Sequence, residues 1–273
     1  MTTPNEVLGS TTGTDWRRLL VDWDRQQSGY LRAREERFTA ALDAVEVLRS
    51  ATPDEEFTVL DLACGPGSFS QRVLGRFPAA RVVAVDMDPV LLGVGRAALG
   101  TAGGRLDWVD ADLRDPAWPA LLPVPSAHVV VSSTALHWLS ASQLAATYRR
   151  LAELLPAGGI LLNADNMSHD PGQTALTRLA EAAERRQATA AFERDGVPDW
   201  DTWWAEVVAV PELAGAVAER SRRNEAGRGA EDHEPGARLT GLRTHVAALV
   251  EAGFAEVGTI WQDHDDRVLL AVR

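Results

Sequence analysis

The sequence predicts an α/β protein, a parallel sheet covered by helices on both faces. Three observations carry that reading. Short aliphatic runs alternate with helix-patterned stretches between residues 55 and 164, in the order βαβαβαβαβ. The first run breaks into a small-residue turn, Ala-Cys-Gly-Pro-Gly at 63–67, which opens a helix. An acid, Asp86, closes the next apolar run about 20 residues on, where sheets of this kind grip ribose hydroxyls.

Residues 1–14, rich in Thr, Gly and Ser, read as a flexible start, and 15–54 as a helical cap. In that cap Tyr30, Arg34, Arg37 and Phe38 fall on one face at helical spacing. Residues 55–164 form the nucleotide-binding core. After its first strand Gly65 and Gly67 permit close backbone approach, and Pro66 suits a tight turn. Ser68 with Gln71 reads as an N-cap and capping box. Further helices are expected at 68–77, 89–98, 116–122 and 142–155. Residues 165–238 change character and read as a helical lid inserted before the last helix. Within them an Ala/Glu/Arg-rich helix covers 173–194, Val197-Pro-Asp is a break, 200–223 is helical, and 224–238 is a polar loop. Residues 239–273 complete the core with a helix and two strands, 254–262 and 266–272, joined by Asp-His-Asp-Asp.

Composition narrows the function. A net charge of −12 over 273 residues argues against a nucleic-acid partner, which needs a basic stripe. The single cysteine, Cys64, excludes intrachain disulfides and Cys-rich zinc sites, and no metal site is expected. All 27 basic residues are arginine, so a Schiff-base or P-loop lysine is excluded. No apolar run approaches membrane-spanning length, and 1–14 lack a basic start and apolar core; a cytoplasmic protein without a membrane partner is expected. The oligomeric state stays open.

The third glycine of a dinucleotide fingerprint is Ser70 here. With Asp61 ahead of it, the turn instead resembles motif I of class I S-adenosylmethionine-dependent methyltransferases. Residues 81–88, 106–113, 128–139 and 154–162 follow in the matching order. The resemblance implies a Rossmann-like sheet of seven strands with an antiparallel last pair, and S-adenosylmethionine as cofactor. It places Asp61, Ala63, Gly65 and Gly67 at the cofactor turn. Asp86 would take the ribose hydroxyls, Met87 flank the adenine, Asp112 accept the adenine amino group, Leu113 join the cofactor site beside it, and Ser133 face the sulfur. Arg37 would meet the cofactor's carboxylate. Ala-Leu-His-Trp-Leu at 135–139, with Asp165-Asn166 and Ser168-His169, is similar to the small-molecule group typified by trans-aconitate methyltransferases. Two departures, His128 for a common Asp and His137 for the usual Gln, put a tricarboxylate substrate in doubt.

The expected reaction is O- or N-methylation of a small molecule, in keeping with specialised metabolism. Alternatives are a different use of the cofactor, such as intramolecular cyclisation, or a silent binding module. A hydroxyl or ammonium acceptor must lose a proton, and an unperturbed histidine titrates near pH 6.5. His137 is therefore the candidate base; the other reading is a loop histidine bonded to backbone. Tyr30, His169, Trp200 and Trp204 are candidates for substrate contact. The tryptophans could equally glue the lid to the sheet. Trp138 is expected to pack beneath the site and His264 to be solvated, while His245 carries no signal. Arg220, Arg222 and Arg223 could clamp a carboxylate.

Overall fold

The computed structural model describes residues 13–49, 56–226 and 240–273. All but residues 13 and 14 of the expected flexible start, and most of the polar loop at 224–238, lie outside them. Two helices, α1 (Trp16–Tyr30) and α2 (Arg34–Arg49), lead in. The sheet and its first helices then alternate: β1 (Phe57–Leu62), α3 (Ser68–Arg76), β2 (Ala80–Asp86), α4 (Pro89–Leu99), β3 (Leu106–Asp110), β4 (Val129–Ser133), α5 (Ala141–Leu154) and β5 (Ile160–Asn166). The segment expected to form a lid follows as α6 (Thr174–Ala188), a π-helical extension, α7 (Trp200–Val208) and α8 (Ala214–Glu225). Helix α9 (Leu242–Glu251) and strands β6 (Glu256–Asp263) and β7 (Asp266–Val272) close the chain.

The strands run in the order β3-β2-β1-β4-β5-β7-β6. The first five pair in parallel, and β7 runs antiparallel to both β5 and β6. Side chains alternate across the sheet, so Leu60, Leu62, Val83 and Val85 face α5 and α9, while Val59, Val82 and Ala84 face α2 and α3. Two cores result, one per face, which is why these strands read as continuous apolar runs. A third cluster joins Leu19 and Trp23 of α1, Val90, Leu91 and Val94 of α4, and Trp203 and Val207 of α7. It fastens α7 to α1 and α4.

Caps explain several boundaries. Asp88 accepts from the Val90 and Leu91 amides at 2.8 and 3.2 Å, with Pro89 opening α4. Ser140 and Gln143 form a capping box at α5. Ser68 forms none: the residue before α3 is Gly67 at φ 92°, and Ser68 donates to Asp24 Oδ1 at 2.6 Å. The helix expected at 116–122 shrinks to one 3-10 turn, Trp118–Leu121, because Pro119 cannot donate inside a longer ladder. The cap does not run on as one helix either. It breaks between Tyr30 and Arg34, with Ala33 at φ 48°, so the predicted common face is split between two axes. Among the described residues, no helix is long and apolar enough to cross a membrane.

Candidate active site

Strand β1 is flanked by β2 and β4, so the chain direction around the sheet switches there and leaves a crevice at the carboxyl ends. A cavity of about 860 Å³ opens at that crevice, within the range that holds a small-molecule ligand. Ala63 at φ 49° and Gly65 at φ 56° carry the chain over it. A methyl at Gly65 would stand 3.6 Å from Trp23 Cζ2, so glycine serves here by its φ and by leaving room. The Gly65 amide donates to Asp86 Oδ2 at 2.7 Å, and the Asp88 amide to Asp86 Oδ1 at 2.8 Å. Burial, aided by the charge of Asp88 and opposed by these amides, raises the Asp86 carboxyl to about 6.

Asp61 is deeper. It accepts the Ser70 amide at 2.9 Å and the Ser70 hydroxyl at 2.6 Å, tying β1 to α3, and burial lifts its carboxyl to about 7 against those bonds. Cys64 lines the same turn, buried, its thiol pushed well above the usual range by desolvation and by Asp86 and Asp61. Met87, Asp112, Leu113 and Ser133 all border the cavity. Asp112 is held by the Arg114 amide at 2.9 Å and by its guanidinium. Gly67 does not border it. A methyl there would meet Trp108 Cη2 at 2.7 Å, so this glycine makes space for packing.

The other end of the cavity is built from turns. After β4, Thr134 takes φ 56°, a costly conformation for a β-branched residue, and the chain enters the 3-10 turn Leu136–Trp138. There the His137 ring Nδ1 lies 2.5 Å from Asp165 Oδ1, and the His137 amide donates to Asp165 Oδ2 at 2.9 Å. Burial alone would raise Asp165, but the charges of His137, His245 and Arg37 and the His137 hydrogen bond hold it below the ordinary carboxylate range. Trp138 is 51% exposed and borders the cavity, against the expectation that it packs beneath it. Because β7 runs back along β5, Asn166 pairs with Asp266. The β6–β7 turn therefore lies at the cavity mouth, and His264 lines the cavity there instead of being plain surface. It contacts Asp263 at 2.7 Å and Arg32 at 2.8 Å.

Further expectations need correction. Arg37 is fully buried and donates to Thr134, Asp266 and the Ala164 carbonyl; it does not line the cavity. Arg34, one turn earlier, does. It pairs with Asp24 at 2.8 Å and keeps a buried Nε without a partner among the described residues. His169 lies outside the cavity lining, whereas Tyr30, Trp200 and Trp204 border it. The arginines of α8 are not a carboxylate clamp. Arg220 pairs with Asp88 at 2.7 Å, Arg223 with Asp110 at 2.8 Å, and Arg222 with Glu219 at 2.6 Å.

Sequence reasoning gave no role to Asp165, Arg34 or His245. Asp165 had a usable signal, an acid ending a buried strand. His245 had none: it becomes visible only where α9 packs on α5, with its Nδ1 2.7 Å from Tyr148 Oη.

The fit to an adenosyl sulfonium cofactor can be judged from these atoms. The glycine cradle leaves backbone room, Asp86 and Asp112 offer acceptors to a diol and an amino group, and Arg34 Nε is an unused donor for a carboxylate. The residues present fit the group.

Comparison with known proteins agrees. A family described as a methyltransferase domain matches residues 59–159. A trans-aconitate 2-methyltransferase of Azoarcus sp. is 31% identical over 243 residues, covering 84% of this chain and 83% of that protein. One from Methylobacterium nodulans is 30% identical, covering 67% of each. An O-methyltransferase family protein from Burkholderia thailandensis shares the fold, with a TM-score of 0.51 at 19% identity over 96% of this chain and 74% of that one.

Proposed function

The chain belongs to the class I S-adenosylmethionine-dependent methyltransferases, in the group resembling trans-aconitate 2-methyltransferases, and from that premise we propose that it methylates a hydroxyl or amino group of a small, uncharged acceptor. One observation carries the choice of acceptor: the His137–Asp165 pair at the cavity wall. An ionised Asp165 accepting from Nδ1 keeps the Nδ1–H tautomer, which leaves the Nε2 lone pair to take a proton. A carboxylate acceptor has no proton to give and would make this pair redundant.

The charge of the cavity supports the same reading. Among the described residues, eight carboxyl groups and four guanidiniums line it. Arg32, Arg34, Arg114 and Arg220 are each already beside a carboxylate: Asp263, Asp24, Asp112 and Asp88. A tricarboxylate, the substrate type implied by the relatives' name, would enter against that excess of negative charge.

When bound, S-adenosylmethionine supplies a methyl already activated on its sulfonium. The protein's share is alignment and proton handling. Asp86 receives the ribose hydroxyls, with its free lone pairs beyond the two amides that fix it. Met87 and Leu113 flank the adenine, and Asp112 accepts its amino group. Arg34 takes the carboxylate role first expected of Arg37. Ala63, Gly65 and Ser133 supply the backbone and hydroxyl lining near the sulfur, and His137 removes the acceptor's proton as attack proceeds.

The test is formation of S-adenosylhomocysteine with neutral phenols and anilines beside trans-aconitate. Turnover of the neutral acceptors, with a rate falling toward acid pH, is expected. A preference for trans-aconitate with no acid limb would overturn the reading.

A further inference from the structure

We propose that the lid is divided by function: α7 and α8 roof the ribose and adenine of the cofactor, with Trp200 and Trp204 setting cofactor affinity, while α6 walls the acceptor. The inference rests on the cofactor lying along the ends of β1, β2 and β3, as read above. It reverses the expectation that these two tryptophans contact substrate.

The tryptophans are fastened to the cofactor turn, not to the His137 end. Trp23, the neighbour of Gly65, packs its ring 5.7 Å from that of Trp200 and 4.8 Å from that of Trp203. Trp204 lies 5.7 Å from Trp200. The Arg220 guanidinium stacks 4.2 Å above Trp204 while its Nε donates to Asp88, two residues past Asp86. A turn later, Arg223 donates to the Met87 carbonyl at 2.6 Å and grips Asp110. On α4, a methyl at Gly93 would come within 2.7 Å of Leu213, so the approach to α8 is tight as well. Every tie of α7–α8 named here runs to the segment that follows β2, to the end of β3, or to α1, whose Trp23 touches the turn after β1.

Helix α6 has other neighbours. It presents Ala180, Ala183 and Glu184 to the cavity, and the Glu184 carboxyl lies within electrostatic reach of Asp265 in the β6–β7 turn. That turn and the His137–Trp138 segment make the opposite end. A second observation points the same way. The Trp204 indole N–H is buried without a partner among the described residues, on a ring that lines the cavity. An acceptor on a ligand can meet that donor, and a ribose offers several.

The experiment is calorimetric titration of S-adenosylhomocysteine and of methylthioadenosine, which share ribose and adenine. Trp204→Ala and Trp200→Ala should each weaken both ligands by about three- to tenfold, the range of an aromatic contact. Trp138→Ala should leave both affinities within twofold. Trp204→Phe keeps an aromatic ring in the lid while removing the indole donor and part of its contact area, so a parallel weakening of both ligands there supports the proposal even if the alanine variant unfolds. Wild-type affinities in all three lid variants, with Asp86→Ala weakened, would overturn the division of the lid. Wild-type affinity in Asp86→Ala as well would instead remove the cofactor from these strand ends, and the proposal with it.

Discussion

The two ends of the cavity are held by different means. At the cofactor end, acids are fixed by main-chain amides: Asp86 by Gly65 and Asp88, Asp61 by Ser70, Asp112 by Arg114. At the acceptor end, side chains hold one another across long chain separations, His137 with Asp165 and Arg32 with Asp263. Amide-fixed positions follow from backbone shape and persist whatever surrounds them. Side-chain pairs exist only where packing brings them together, so an acceptor pocket can change without disturbing the cofactor turn.

The comparison can be broken most severely at His137. His137→Gln retains a hydrogen-bonding group and loses basicity, so kcat should fall by about 10²–10⁴ while calorimetric affinity for S-adenosylhomocysteine stays put. Full activity in that variant would make the two ends alike, both pure positioning devices. Next comes Asp86→Ala, which should cost roughly 1.5–3 kcal/mol of cofactor affinity by removing charge-assisted bonds to a diol. Acid sharpens the same point. Because burial raises Asp86 to about 6, affinity should decline as pH falls through that value, and Asp86→Asn should flatten the profile. The stability sign is opposite: a carboxyl raised on folding contributes below its ordinary range and loses that contribution as pH rises through about 6. Smallest is Asp112→Ala, about 1 kcal/mol for one bond to an amino group, measured in the same titration.

The difference between the ends also decides what could be read in the sequence. Strands β1, β2, β4 and β5 announce themselves as aliphatic runs because both faces are buried, and the 63–67 turn shows its glycines. Periodicity misled where a helix stopped. Tyr30 and Arg34 share a face only if one axis continues, and the Ala33 turn ends it, which moves the cavity arginine from Arg37 to Arg34. Composition misled at His264, where neighbouring acids suggested solvent; the antiparallel return of β7 turns that hairpin toward the cavity. Trp138 is expected to pack beneath the site, yet a 3-10 turn leaves half of it uncovered. Two of these misses turn on local breaks in a helix or strand, and the third on a hairpin whose direction is set by a partner far away in the chain.

Cys64 gives the cofactor turn a further property. The chain's single thiol is buried between Asp61 and Asp86 and rarely ionised, so a reagent that attacks thiolates reacts with it slowly, and faster when the segment after β1 opens. Labelling kinetics at this one sulfur therefore count openings of the cofactor end, with every other part of the molecule silent. A ligand seated in the turn should lengthen the labelling half-life by a factor of one plus the ratio of free ligand concentration to Kd, which turns an ordinary thiol assay into a clock for local breathing.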